Sequence, residues 1–280
     1  TGIRVPPGFV ITTEACLAYL EDEKHRLPPS LMSQVTDHLR LLELNTGKKF
    51  GDALKPLLLS VRSGSALSMP GMMDTILNLG LNPDTLKGLL VATDNERFCY
   101  DVYRRFIQLF GKVALGVPDA LFDEEFEKVK ERAGVKQDVE LSAWDLSDVC
   151  TSFLQVVKQF TGKPFPHDPY EQLEIAIKAV FNSWMGKRAI DYRREFKITP
   201  DMANGTAVNI VAMVFGNMSN KSATGVGFTR DPGTGENVIF GEYLVNAQGE
   251  DVVAGIRTPK PIAAMAHEMP DLFRELMELR

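Results

Sequence analysis

Residues 57–79 read LLLSVRSGSALSMPGMMDTILNL, an apolar run that passes without a break into an arginine and a loop of Gly, Ser and Met. The stretch 57–61 predicts a buried strand, and Arg62, Ser63, Gly64 and Ser65 stand where that strand should emerge. Arginine offers a planar fork of donors that matches phosphoryl oxygens, and glycines such as Gly64 and Gly71 let backbone N–H groups come close to an anion. A strand end of this composition suits phosphate. A Gly-rich turn after a strand also serves plain chain reversal, so the pattern alone leaves both readings open. The sequence G-x-x-x-x-G-K-[ST] does not occur in the chain, which excludes a P-loop nucleoside triphosphatase on motif grounds.

Outward from that stretch, composition narrows the class. With 280 residues, 44% of them hydrophobic, the chain can bury a substantial core and has the length of one large domain or two or three lobes. A formal charge of −6 gives no general attraction to nucleic acid or to an anionic membrane, so an anion must be held by a local basic pocket. Cys16, Cys99 and Cys150 are odd in number and widely spaced, which fits core residues in a reducing compartment and neither a disulfide framework nor a zinc site. No apolar run approaches the about 20 residues of a membrane span, and the N-terminus lacks a signal-peptide pattern. A cytoplasmic location is expected, an organelle of a plant or protist being the alternative.

The segment VPPGFVI (5–11) predicts a loop and a short strand, and Thr12 or Thr13 can cap a helix over 14–23. A second helix is expected over 31–44. From Pro83 to about Phe160 helical periodicity dominates: Phe98, Val102, Phe106 and Phe110 recur every four residues, and Ser142 with Asp145 forms a cap and acidic first turn before a long helix. GKPFPHDP (162–169) predicts a solvent-facing lobe boundary, because its prolines oppose helix, and another helix follows over 170–185. Three β runs come next, 207–215, 223–229 and 238–245, the last two joined by RDPGTGE as an antiparallel hairpin. Residues 261–280 read as one helix. Periodicity alone supports α and β in more than one lobe.

The literal strings carry more. VRSGSALSMPGMMDTILNLGLN (61–82), NERFCYDVYRRFIQLFG (95–111) and GTAVNIVAMVFGNMSNKSATGVGFTRDPGTGENVIFGEYLVNAQGEDVVAGIRTP (205–259) resemble, in the same order, the nucleotide-binding domain of the pyruvate, phosphate dikinase family. That resemblance implies an α+β fold, an ATP-grasp nucleotide-binding domain with an inserted helical lobe. Residues 1–82 would form a mixed α/β lobe, 83–168 the helical lobe, 169–204 a helical return to the first lobe, and 205–280 a β-rich lobe with a C-terminal helix.

The same resemblance implies a site. Arg62, with Ser63 and Gly64, would contact the ATP polyphosphate, the competing reading of Arg62 being a structural salt bridge. Arg105 of YRRF would supply a second contact; Arg104 and Arg105 cannot both share the apolar face of their helix, so one of them is expected in solvent. The loop SMPGMMDT (68–75) would act as a lid through Gly71 and Thr75, although Met69, Met72 and Met73 suit packing. Met213 and Val214 would present hinge backbone to adenine. Thr229, ending a Gly-containing hairpin, would cover phosphates, and Gln248 and Glu250 of NAQGED would contact the nucleotide or its ribose, Glu250 being the better candidate.

Also implied are Mg²⁺ accompanying ATP, a phosphoryl-carrying histidine on a separate central domain, a pyruvate-binding barrel, and a homodimeric full-length enzyme. His25, His38, His167 and His267 do not stand in the family's T-S-H-A setting, so no catalytic histidine is expected in this chain. The family's GGKGANL-like segment and its D-I-E-F and Q-x-R strings are absent, which reads as a fragment whose metal ligands lie beyond Arg280. The reaction implied converts ATP, phosphate and pyruvate to AMP, pyrophosphate and phosphoenolpyruvate. A stand-alone nucleotide-binding or regulatory module, or a dikinase similar to phosphoenolpyruvate synthase, are the alternatives.

Overall fold

The computed structural model describes residues 4–253 and 257–278, which divide into two compact units, Pro6–Met213 and Val214–Arg280 with Thr1–Val5. The larger unit opens with β1 (Gly8–Ile11), α1 (Thr13–Glu21) and α2 (Leu31–Thr46). A two-residue parallel pair, β2 (Lys49–Phe50) and β3 (Pro56–Leu57), leads into β4 (Leu59–Gly64) and β5 (Thr75–Leu79). Helices follow without an intervening strand: α3 (Pro83–Thr93), α4 (Glu96–Ala114), α5 (Asp119–Ala133), α6 (Ala143–Thr161), α7 (Pro169–Ser183) and α8 (Lys187–Glu195). The strand β6 (Ala207–Ala212) then returns to the sheet, whose order is β1-β6-β4-β5 with every pair antiparallel.

The helical starts are set locally. Asn82 accepts from the backbone of Asp84 and Thr85, and Pro83 opens α3 where its missing N–H costs nothing. Ser142 and Asp145 form the expected reciprocal cap of α6. The four-residue spacing in α4 builds the core as read: Phe98, Val102, Phe106 and Phe110 are all buried. Burial of each such side chain is worth about 1.5–3 kcal/mol, so this stripe fixes α4 against β5 and α6.

Three expectations are corrected here. The strand does not end before Arg62; β4 runs to Gly64, because β6 on one side and β5 on the other continue the ladder, pairing Arg62 with Asn209 and Thr75. The stretch 162–169 is solvent-facing, as expected, at Gly162, Lys163, Pro164, His167 and Asp168, but not throughout. Phe165 is buried with its ring 5.5 Å from Phe106 and 5.3 Å from Phe110, and the buried Gln172 donates to the carbonyls of Pro166 and Leu81 while accepting from Gly80 N–H. The run expected as a strand over 207–215 stops at Ala212.

In the smaller unit, β7 (Ala223–Phe228) and β8 (Phe240–Val245) form the expected antiparallel hairpin, and β9 (Lys260–Pro261) pairs with β8. Asp231 caps the turn, accepting from the N–H groups of Gly233 and Thr234. A five-residue helix, α9 (Gly249–Val253), precedes β9. The single helix expected over 261–280 is broken into a 3-10 turn (Ile262–Ala264), α10 (Met265–Glu268) and α11 (Pro270–Glu278). Pro270 is the cause, since it lacks an N–H and forces Met269 out of helical geometry to φ −141° and ψ 63°. Among the described residues no helix is long and apolar enough to cross a membrane.

Candidate functional site

The middle of β4 places Arg62 one residue beyond Val61, which is fully buried, and between two neighbouring strands. Its side chain is exposed and makes no hydrogen bond or ion pair among the described residues. The salt-bridge reading of Arg62 therefore finds no partner among the described residues. Ser63, partly buried, accepts at its carbonyl from Asn209 Nδ2 at 3.3 Å, and Thr206 Oγ1 bridges the N–H and C=O of Gly64, 3.2 Å from each. A Cβ on Gly64 would lie 2.6 Å from Asn209 Nδ2, so a larger residue there would displace the Asn209 amide. Ser65 Oγ is buried with no hydrogen-bond partner among the described residues.

The connection from β4 to β5 is docked. Met69 is buried with Trp184, Ala189 and Ala203, and Met72 and Met73 pack against the same cluster, so the methionines are packing residues as their chemistry suggested. Gly71 holds φ +72°, a left-handed conformation that suits glycine. Arg188 of α8 donates from Nη1 to the Gly71 carbonyl at 3.3 Å and from Nη2 to Asp74 Oδ1 at 2.8 Å. Thr75, partly buried, opens β5 opposite Arg62.

On α4 the expectation for the arginine pair is corrected: neither is in solvent. The Arg104 side chain is 5% exposed and that of Arg105 14%. Asp101, three and four residues earlier, receives both, Arg104 on Oδ1 with Nε at 2.9 Å and Nη2 at 2.8 Å, and Arg105 Nε on Oδ2 at 3.0 Å. Burial pushes the Asp101 carboxyl up, but the Arg105 and Arg104 guanidiniums outweigh it and hold it well below the usual carboxylate range. Arg104 also reaches Asp138 at 3.2 Å and lies 4.6 Å above the Phe126 ring. Arg97 donates to the carbonyls of Leu141 and Asp138, and burial lowers its affinity for its proton.

Met213 ends the larger unit with its N–H committed to the Leu58 carbonyl at 2.9 Å, so that donor is not available to a base. Val214, Thr229, Gln248 and Glu250 all belong to the smaller unit. Val214 is 70% exposed, Thr229 is exposed beyond the end of β7, Glu250 is partly buried in the first turn of α9, and Gln248 is buried beside it. Asp251 accepts from the Gln248 N–H at 2.9 Å, which makes it a cap of that helix. Among the described residues no group of three or more His, Cys, Asp or Glu side chains could hold a metal ion.

Sequence reasoning passed over Asp101 and Arg188. The first was legible in its i, i+3 and i, i+4 spacing to Arg104 and Arg105. Arg188 was not, because it meets Asp74 across 114 residues of chain.

The AMP/ATP-binding domain family of pyruvate phosphate dikinase matches residues 23–278. The chain is 58% identical to pyruvate, phosphate dikinase of Entamoeba histolytica, all of the chain aligning with 32% of that protein. It is 53% identical to the chloroplastic enzyme of Mesembryanthemum crystallinum and 52% to pyruvate, phosphate dikinase 2 of Zea mays, with 99% of the chain aligned to 29% and 31% of those proteins. The chain thus spans about a third of the length of the curated relatives it matches. A match over almost the whole chain, the VRSG strand included, makes this chain a member of the pyruvate phosphate dikinase AMP/ATP-binding domain family.

Proposed function

We propose that this chain is the ATP-binding part of a pyruvate, phosphate dikinase and that Arg62 is its principal polyphosphate contact. One observation carries the reading: an exposed guanidinium without a partner among the described residues stands on a strand whose preceding residues are buried. An arginine retained for the fold is paired, as Arg104 is. The unpartnered Ser65 hydroxyl two residues past Ser63 supports it, since a buried polar group without a partner calls for a ligand or water.

In this reading Ser63, Gly64, Gly71 and Thr75 shape the phosphate end and Arg105 adds a second cation. Val214 and the Met213 carbonyl would serve the base, Thr229 the phosphates, and Gln248 and Glu250 the nucleotide or its ribose. The ATP-grasp assignment is supported by an antiparallel four-stranded sheet in one unit and a Gly-containing antiparallel hairpin in the other, with the helices α3 to α6 inserted between β5 and β6. Those helices would constitute the inserted lobe over 83–168, with 1–82, 169–204 and 205–280 as the remaining parts.

Phosphoryl transfer depends chiefly on positioning and charge neutralisation, which suits arginines better than a general base. Mg²⁺ would accompany the nucleotide's phosphates, since among the described residues no group of three or more His, Cys, Asp or Glu side chains could hold it. The whole protein would pass a phosphoryl group from ATP to a histidine on a central domain and from there to pyruvate in a barrel domain, as a homodimer. The test is Arg62→Ala in the full-length gene product. The ATP half-reaction should fall steeply while exchange between phosphohistidine and pyruvate persists; loss of both together, with a large fall in Tm, overturns the assignment.

A further inference from the structure

We propose that Asp101 is a positioning residue for the ATP site: one buried carboxylate clamps two adjacent guanidiniums, anchoring Arg104 in the helical layer and fixing Arg105 for the nucleotide's phosphates. The inference rests on the proposed ATP site and deepens it. Consecutive arginines on a helix diverge by about 100°, so a single acid on the same helix serves both from one turn away, where the i+3 and i+4 positions flank it. Asp101 occupies that place, and its two oxygens divide the work, Oδ1 taking Arg104 and Oδ2 taking Arg105.

The two arginines then differ in how far they are withdrawn from solvent. Arg104 is committed to the interior, between Asp101, the Asp138 carboxylate and the Phe126 ring. The Arg105 side chain keeps nearly three times the exposure of Arg104, 14% against 5%. A long arginine left to itself samples many rotamers and loses that freedom when it binds an anion. Clamping Nε on a short, buried acid removes most of that loss before ATP arrives, which is the physical content of preorganisation. The acid itself is held in place by the helix, by its burial, and by the second arginine.

A clamp and a purely structural ion pair differ in what their removal changes, so the experiment measures Mg-ATP affinity by calorimetry alongside Tm on the full-length gene product. Asp101→Asn should weaken Mg-ATP roughly tenfold, as should Arg105→Gln, because misplacing a phosphate-binding cation by about an ångström has effects of that order or larger. Arg104→Gln should lower Tm yet leave affinity within about twofold, since Asp101 still holds Arg105. Unchanged affinity in Asp101→Asn, or an equal loss in Arg104→Gln, overturns the proposal. Should Asp101→Asn fail to fold, Asp101→Glu keeps the charge and shifts the carboxylate by one methylene; it should still weaken binding, and wild-type affinity there overturns the clamp. Wild-type protein that takes up no Mg-ATP, or an Arg62→Ala variant that binds as well as wild type, overturns the site itself and this proposal with it.

Discussion

Arg62 on β4 and Arg104 on α4 are the same residue in opposite circumstances. The first is exposed and without a partner among the described residues; the second is buried between two carboxylates and a phenyl ring. A buried guanidinium has lost its water and must be repaid by partners, so it is committed to the fold. An exposed one on a rigid strand keeps its water until a better anion displaces it. The contrast teaches that charge alone does not mark a binding residue here: the degree of prior pairing does.

The comparison breaks first at Arg104. Arg104→Ala leaves Asp101 and Asp138 short of a cation inside the helical layer and should cost about 3–5 kcal/mol of stability in denaturant titration. A loss below 1 kcal/mol would mean that the network is not needed by the fold. At Arg62 the effect should move from stability to binding. Arg62→Ala should leave Tm nearly unchanged and weaken Mg-ATP by about 1.5–3 kcal/mol, the worth of a hydrogen bond to a charged group. Arg62→Lys should recover only part of it, because an ammonium keeps the charge but loses the planar fork; full recovery would make the contact a point charge.

Acid sharpens the contrast further. The Asp101 carboxyl is depressed in the folded state, so its contribution is fully present above the ordinary aspartate value of about 3.9 and is lost as pH falls below it toward the folded value. Chemical denaturation between pH 6 and about pH 3 should therefore show a steeper fall for wild type than for Asp101→Asn, and parallel curves would remove Asp101 as a source of acid sensitivity. The smallest effect belongs to Arg188, whose pair with Asp74 is largely in solvent, the Arg188 side chain being 65% exposed. Arg188→Ala should cost no more than about 1 kcal/mol, yet hydrogen exchange of residues 65–74 should quicken. Unchanged exchange would show that the methionine cluster alone docks the loop.

Much of this was legible in the chain itself. The four-residue rhythm of Phe98, Val102, Phe106 and Phe110 named the core face of α4, Ser142 with Asp145 named the start of α6, and RDPGTGE named a hairpin, because caps, periodicities and turns are written within a few residues. The strings around VRSG and NAQGED named the family. Pro270 was visible too, and its break of the terminal helix follows from the missing N–H, a local rule that the reading of 261–280 as one helix passed over.

What the sequence could not decide were the matters that depend on distant neighbours. Whether β4 stopped before or after Arg62 was settled by the strands on its two sides, β5 and β6, the latter more than 140 residues away, since a strand continues as long as its backbone groups find partners. The polar look of GKPFPHDP concealed Phe165, which is drawn into the core by Phe106 and Phe110. The pairing of Arg188 with Asp74, and the absence of any such pair at Arg62 among the described residues, are equally tertiary. Residue type supplied the charge, whereas only the assembled fold determined which charges were neutralised and which were left for a ligand, because desolvation and pairing are properties of a place rather than of a residue.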